Sequence, residues 1–155
     1  MATSTLIQFL DAGQAGDTSH RRQVETFFAA GAIAAGDWVS LDVSQTGADK
    51  ALYIVQTPGT AGDGRVVGVA LDTATGTAAA PVQIRTVVAG YGGTAAVATG
   101  VAVGATLMAS AVAGRAGAAQ YVASGGGATA LPDVIGTALT LAAANLAEVF
   151  VHKRF

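Results

Sequence analysis

From Trp38 the chain alternates, with Val39, Leu41 and Val43 on one side and Ser40 and Asp42 on the other, the two-residue period of a half-buried strand. Leu52 to Gln56 predicts a second strand, with Tyr53 and Val55 on one face. Val67, Val69 and Leu71 share a face in a third, and Val82, Ile84 and Thr86 follow Pro81 in a fourth. The same order returns over about 105–110, 119–123, 134–141 and 148–153. Short strands between glycine-rich turns predict an all-β protein, a compact barrel or sandwich. Ala142 to Ala147 is the one place where a helical turn competes.

The return of the pattern has a fixed spacing. Sliding the chain along itself by 68 positions sets Gly36 on Gly104, Tyr53 on Tyr121, Val66 on Val134, Gly68 on Gly136 and Leu71 on Leu139. Two related β modules are therefore expected, about 34–86 and about 101–155, within a β domain spanning 34–155. Gly68 and Gly136 should occupy equivalent turns or strand crossings. Residues 1–33 fall outside this echo and read as an N-terminal arm. Ser4 to Leu10 is compatible with β structure and Asp11 to Ser19 is a Gly/Asp/Ser linker. Val24, Phe27 and Phe28 are spaced as a helical face over about 21–30, although an extended arm laid on a partner accounts for them equally well. Either way Phe27 and Phe28 need a cover.

Charge alters this picture more than length does. Only 12% of the 155 residues are charged and the net charge is −2, which supports neither a nucleic-acid stripe nor an acidic tail. No charge lies between Arg85 and Arg115, and only Asp133 lies between Arg115 and Glu148. A surface so poor in charge is expected to be covered, by neighbouring subunits or another protein. A membrane span over the uncharged 86–114 is rejected. The stretch is mostly Ala, Gly, Thr and Val, and its glycines each weaken a helix by roughly 1 kcal/mol relative to alanine. Met1 to Leu10 lacks the basic start and long apolar run of an export signal, so synthesis in the cytoplasm is expected.

Candidate chemistry is sparse. With no cysteine, and with His20 and His152 near opposite ends, neither a metal centre nor a Ser/His/Asp set is expected. The glycine runs Tyr91 to Thr94 and Gly125 to Ala128 lack the lysine, helix and downstream acid of a phosphate cradle. They read as turns or bulges, with Gly125 to Gly127 a loop tip. Asp37, Asp42 and Asp72 read as turn and strand-end acids. Trp38, Tyr53 and Tyr121 read as core residues. Two basic clusters remain, His20-Arg21-Arg22 and His152-Lys153-Arg154. Arg21, Arg22, Lys153 and Arg154 could anchor an acidic protein surface through paired bonds to carboxylates.

The runs from Arg21 to Asp42, Val66 to Ala74 and Ala80 to Thr86, then Val134 to Thr140 and Glu148 to Phe155, resemble small head-decoration (capsid cement) proteins of tailed bacteriophages. The likeness covers about residues 20–155. It implies a β-rich protein without enzymatic activity or cofactor. Such a protein sits on the outer capsid surface of the virion, commonly as a homotrimer, and holds major capsid proteins together, with no nucleic acid or membrane as partner. A receptor- or glycan-binding module is the alternative, and it would use Trp38.

Overall fold

A computed structural model of the chain describes residues 22–46, 51–120 and 133–152. The described residues are all-β, in eleven strands: β1 Arg22–Ala29, β2 Ala32–Ile33, β3 Trp38–Leu41, β4 Tyr53–Gln56, β5 Val66–Ala70, β6 Ala74–Thr75, β7 Val82–Ala96, β8 Thr106–Ala109, β9 Ala116–Ala118, β10 Gly136–Ala138 and β11 Leu146–Val151. No helix among them is long and apolar enough to cross a membrane. The uncharged stretch holds the second half of β7 and all of β8. Much of it is buried, including Val88, Ala95, Val97, Val101, Leu107 and Ala109, which accounts for a large part of its missing charge without any partner.

Nine of the strands close two barrels that share β7, and β2 and β6 pair with each other separately. In barrel one, β1 pairs antiparallel with the first half of β7 and parallel with β4, and β4, β3, β5 and β7 follow in antiparallel order, so the ring returns to β1. In barrel two, the second half of β7 pairs with β11, which leads through β10 and β8 to β9. A parallel bridge between Val97 and Ala116 completes the ring. Closure pairs strand edges that would otherwise be open to other chains.

Residues 22–33 therefore belong to barrel one and not to an arm. Of the two conformations left open for this segment, helical or extended, Arg22–Ala29 takes the extended one, a strand in which Phe27 and Ala29 point inward. Residues 1–21 lie outside the described residues.

The pairing register shows how far the repeat extends. Val39 opposes Gly68 and Trp38 opposes Val69, while Leu107 opposes Gly136 and Thr106 opposes Thr137, each 68 positions later. The parallel contact of Ala29 with Ile54 returns as Val97 with Ala116. Phe27 opposite Ile84 returns as Ala95 opposite Ala147. The duplication thus begins at β1, whose counterpart is the second half of β7. The long strand exists because the last strand of the first barrel runs on into the first strand of the second.

The interiors match position by position. Phe27, Ile33, Val39, Ile54, Val67 and Ile84 fill barrel one, and Ala95, Val101, Leu107, Ala116, Ile135 and Ala147 stand in their places in barrel two. Most of the second set are smaller, and the difference is made up from outside. Trp38, on the outer side of barrel one, packs into the cluster of barrel two with Val66, Val69 and Val87.

The glycines matched in sequence explain why they recur. Gly36 and Gly104 have φ of 89° and 76°, and each donates its amide across 2.8 Å, to Ala70 and to Ala138 respectively. Gly68 and Gly136 sit at equivalent strand crossings. A Cβ on Gly68 would lie 2.0 Å from the Val87 carbonyl oxygen, and one on Gly136 would lie 2.5 Å from that of Phe150.

Several expected details differ. The turn from Ser110 to Arg115 is shorter than its counterpart between Asp42 and Tyr53, so β9 starts at Ala116 and the residue equivalent to Tyr53 is Arg115. The hydrogen bonds of Asp42 N to Tyr53 O and Ser110 N to Arg115 O establish this. Tyr53 is half-buried outside the barrel, Ile54 being the core residue. Tyr121 and Gly125 to Gly127 lie outside the described residues. Val67 and Val69 enter different clusters because a register shift between Val39 and Ser40 breaks the alternation opposite them.

Ala142 to Ala147 forms no helical turn. Ala143 and Leu146 exchange two backbone hydrogen bonds of 2.9 Å around Ala144 and Asn145, whose φ values of 49° and 63° belong to a type I′ turn. Alanine is unfavourable there by about 1 kcal/mol. Ala144→Gly should therefore raise the melting temperature, and an unchanged or lower one would refute this assignment.

A second stabilising change follows from comparing the barrels. Thr86 is fully buried with its Oγ1 unpaired, and the residue in its place in barrel two is the equally buried Val149. Thr86→Val should gain about 1 kcal/mol by removing an unsatisfied hydroxyl. Chemical denaturation measures it, and a loss of stability would mean the hydroxyl has a partner.

Candidate functional site

Adjacent residues on a strand face opposite ways, and this separates the two phenylalanines expected to share a cover. Phe27 is inside barrel one. Phe28 is half-buried outside, its ring 5.8 Å from that of Tyr53. Arg22 is exposed at the start of β1, opposite Gly90. Arg21, Lys153 and Arg154 lie outside the described residues. Of the described candidates, Phe28 and Arg22 lie outside the core, near opposite ends of β1.

The aspartates do not converge either. Asp37 Oδ2 accepts from Ala34 N at 2.9 Å and Gln56 Nε2 at 2.8 Å, tying the turn before β3 to β4. Asp42 closes a local turn with Ser44 and Gln45. Asp72 pairs with Arg85 at 2.7 Å. Burial alone would raise the Asp63 carboxyl, but bonds from Arg65 and Ser40 hold it below the usual range. These acids organise turns, and among the described residues no three His, Asp or Glu side chains gather as metal ligands. A groove of about 320 Å³ beside barrel two is lined by Ala98, Val101, Met108, Gly117, Gln120 and other small residues, none of them titratable.

Trp38 is fully buried between the barrels, so it offers no stacking platform to a sugar. Exposed large apolar residues lie on both barrels, Val43 and Leu52 among them on barrel one, and on barrel two they form two surfaces. Along β11 burial alternates, so Leu146, Glu148 and Phe150 face outward while Ala147, Val149 and Val151 face in. Phe150 is 44% exposed, opposes Tyr91 on β7 and Thr137 on β10, and stacks edge-on with His152 at 6.1 Å between ring centroids. Thr137 Oγ1 and His152 Nε2 lie 3.1 Å apart. Burial raises the Tyr91 hydroxyl above its usual range, helped by its hydrogen bond to the Glu148 carboxylate and opposed by the Arg22 charge. Among the described residues, Arg22 is the predicted anchor that borders this face.

A second apolar surface forms the tip of barrel two, where two connections meet. Gly104 N donates to Ala138 O, Ala142 N to Val101 O, and Thr99 Oγ1 to Asn145 Oδ1. Val103 and Leu141, 64% and 65% exposed, project there. Neither 98–105 nor 139–147 contains a charged residue.

Compared with models of protein families and with curated proteins, the chain gives no match. The surfaces themselves carry the functional reading. The first was hidden in the sequence because β11 matches β7 with a different spacing from the 68 residues that relate β3 to β8. The signal that could have found the first is the run Leu146-x-Glu148-x-Phe150, an alternation in which the outward positions are the large ones.

Proposed function

We propose that this protein is a capsid decoration protein that binds the outer surface of a phage head as a homotrimer and stabilises the shell by bridging major capsid proteins. The observation that carries this reading is the tip of barrel two, where Val103 and Leu141 stand exposed on connections without a single charge. Large exposed aliphatics clustered on uncharged loops suit a neutral protein partner better than a nucleic acid or a polar ligand. The resemblance of the quoted sequence runs to head-decoration proteins supplies the identity of that partner. Repetition over a shell adds avidity, so each single contact can be modest.

Purified heads heated with and without the protein should rupture at a higher temperature when it is bound. Val103→Glu combined with Leu141→Glu should abolish both binding and protection while leaving the barrels folded. Equal rupture temperatures with and without the wild-type protein would sink the stabilising role. Undiminished binding by the double variant would move the contact elsewhere.

A further inference from the structure

Barrel two covers one face of barrel one, and no described residue covers its own equivalent face in the same way. On barrel one that face is Trp38, Val66, Val69 and Val87, all buried against the second barrel. The pairing register sets Thr106, Val134, Thr137 and Phe150 in the same four places on barrel two. Three of these are half-buried and Phe150 is exposed. Phe150 supplies aromatic bulk on a face where Thr106 has replaced Trp38.

We infer that this face is a docking surface for a second copy of the chain, whose barrel one sits on it as barrel two sits on barrel one. The covering element within one chain is the Ser110 to Arg115 turn. Trp38 N donates to Gly114 O at 2.9 Å, Gly62 N to Ala109 O at 2.9 Å, and Gly114 N to Thr57 O at 3.1 Å. The corresponding positions of barrel one are Val43 in place of Ala111 and Leu52 in place of Gly114, and both are exposed large aliphatics. Among the described residues the chain therefore presents an exposed acceptor face at Phe150 and an exposed donor at Val43 and Leu52. The occupant is a second copy because the existing interface is already between two barrels of this sequence pattern, and both of its halves recur, unmatched among the described residues. Such a contact joins unlike surfaces, so it closes into a ring or extends as a filament.

The inference specifies the self-association in the proposed function and does not depend on capsid binding. Light scattering of the purified full chain should give the mass of several copies. Phe150→Glu and Val43→Glu should each reduce it to one chain with the circular dichroism of the wild type. Mixing the two variants should then give a dimer of one copy of each, because one lacks the acceptor, the other lacks the donor, and one intact contact remains between them. Thr137→Arg reads the same acceptor face if Phe150→Glu fails to fold. A wild-type chain that stays monomeric to its solubility limit overturns the inference, as does an acceptor variant that keeps the wild-type mass or a mixture that does not pair. Binding to heads, scored separately on the same variants, tells failure of this contact from failure of the capsid reading.

Discussion

Deleting residues 1–30 should leave a protein that no longer folds cooperatively. β1 is bonded on both sides, to β4 through Phe28 and Ala29 and to β7 along its whole length, so its loss opens barrel one at two edges at once. It also removes Phe27 and Ala29 from the core. Losing a buried phenylalanine costs about 3–5 kcal/mol by itself, against about 5–15 kcal/mol for the total stability of a typical domain. The freed edges of β4 and β7 would add a route to aggregation. Far-ultraviolet circular dichroism and thermal unfolding of the truncated chain decide the matter. A soluble β protein with a wild-type melting temperature would mean that β1 is a detachable arm after all.

That expectation reverses what the sequence suggests for this segment, and the reason is physical. Val24, Phe27 and Phe28 stand at helical spacing, but only Phe27 is in the core, while Phe28 leans on Tyr53 from outside and Val24 is largely exposed. A strand with apolar residues on both faces mimics a helix over so short a run. The repeat was legible where both barrels keep the same geometry, in the turn before β3 and β8 and in Gly68 and Gly136, which lie against the carbonyls of Val87 and Phe150. It was illegible across β1 and the second half of β7 because the inward positions differ in size, Phe27 against Ala95. It was misleading at Tyr53 and Tyr121, where unequal loop lengths put different residues in equivalent places. The charge-poor stretch was expected to be covered by neighbouring subunits or another protein, whereas much of it is buried within the protein itself. Of the basic candidates, Arg22 is the one among the described residues, and it borders an apolar face. Phe150 and Leu141 were not singled out, because exposure of a large apolar residue depends on which barrel lies next to it.

Trp38→Ala should be the most damaging single substitution, at about 3–5 kcal/mol, the usual range for removing a buried aromatic. Trp38 belongs to barrel one by sequence and to barrel two by packing. Its Cη2 would lie 3.0 Å from a Cβ at Gly136, so the tryptophan occupies space that Gly136 leaves free. The interior of barrel two is built from small residues such as Ala95, Ala116 and Ala147, which cannot move outward from their strands to fill the cavity left by the ring. The interior of barrel one, with Phe27, Ile33 and Ile54, does not include Trp38. Calorimetry should therefore show the loss falling on barrel two first, with the single transition of the wild type broadening or dividing. Trp38→Phe keeps most of the volume, and because Nε1 has no hydrogen-bond partner it gives up no bond, so it should cost less than about 3 kcal/mol. If the alanine variant instead melts within a few degrees of the wild type, the two barrels do not share this side chain. If phenylalanine is as costly as alanine, the indole nitrogen is paired, and volume is not what Trp38 contributes.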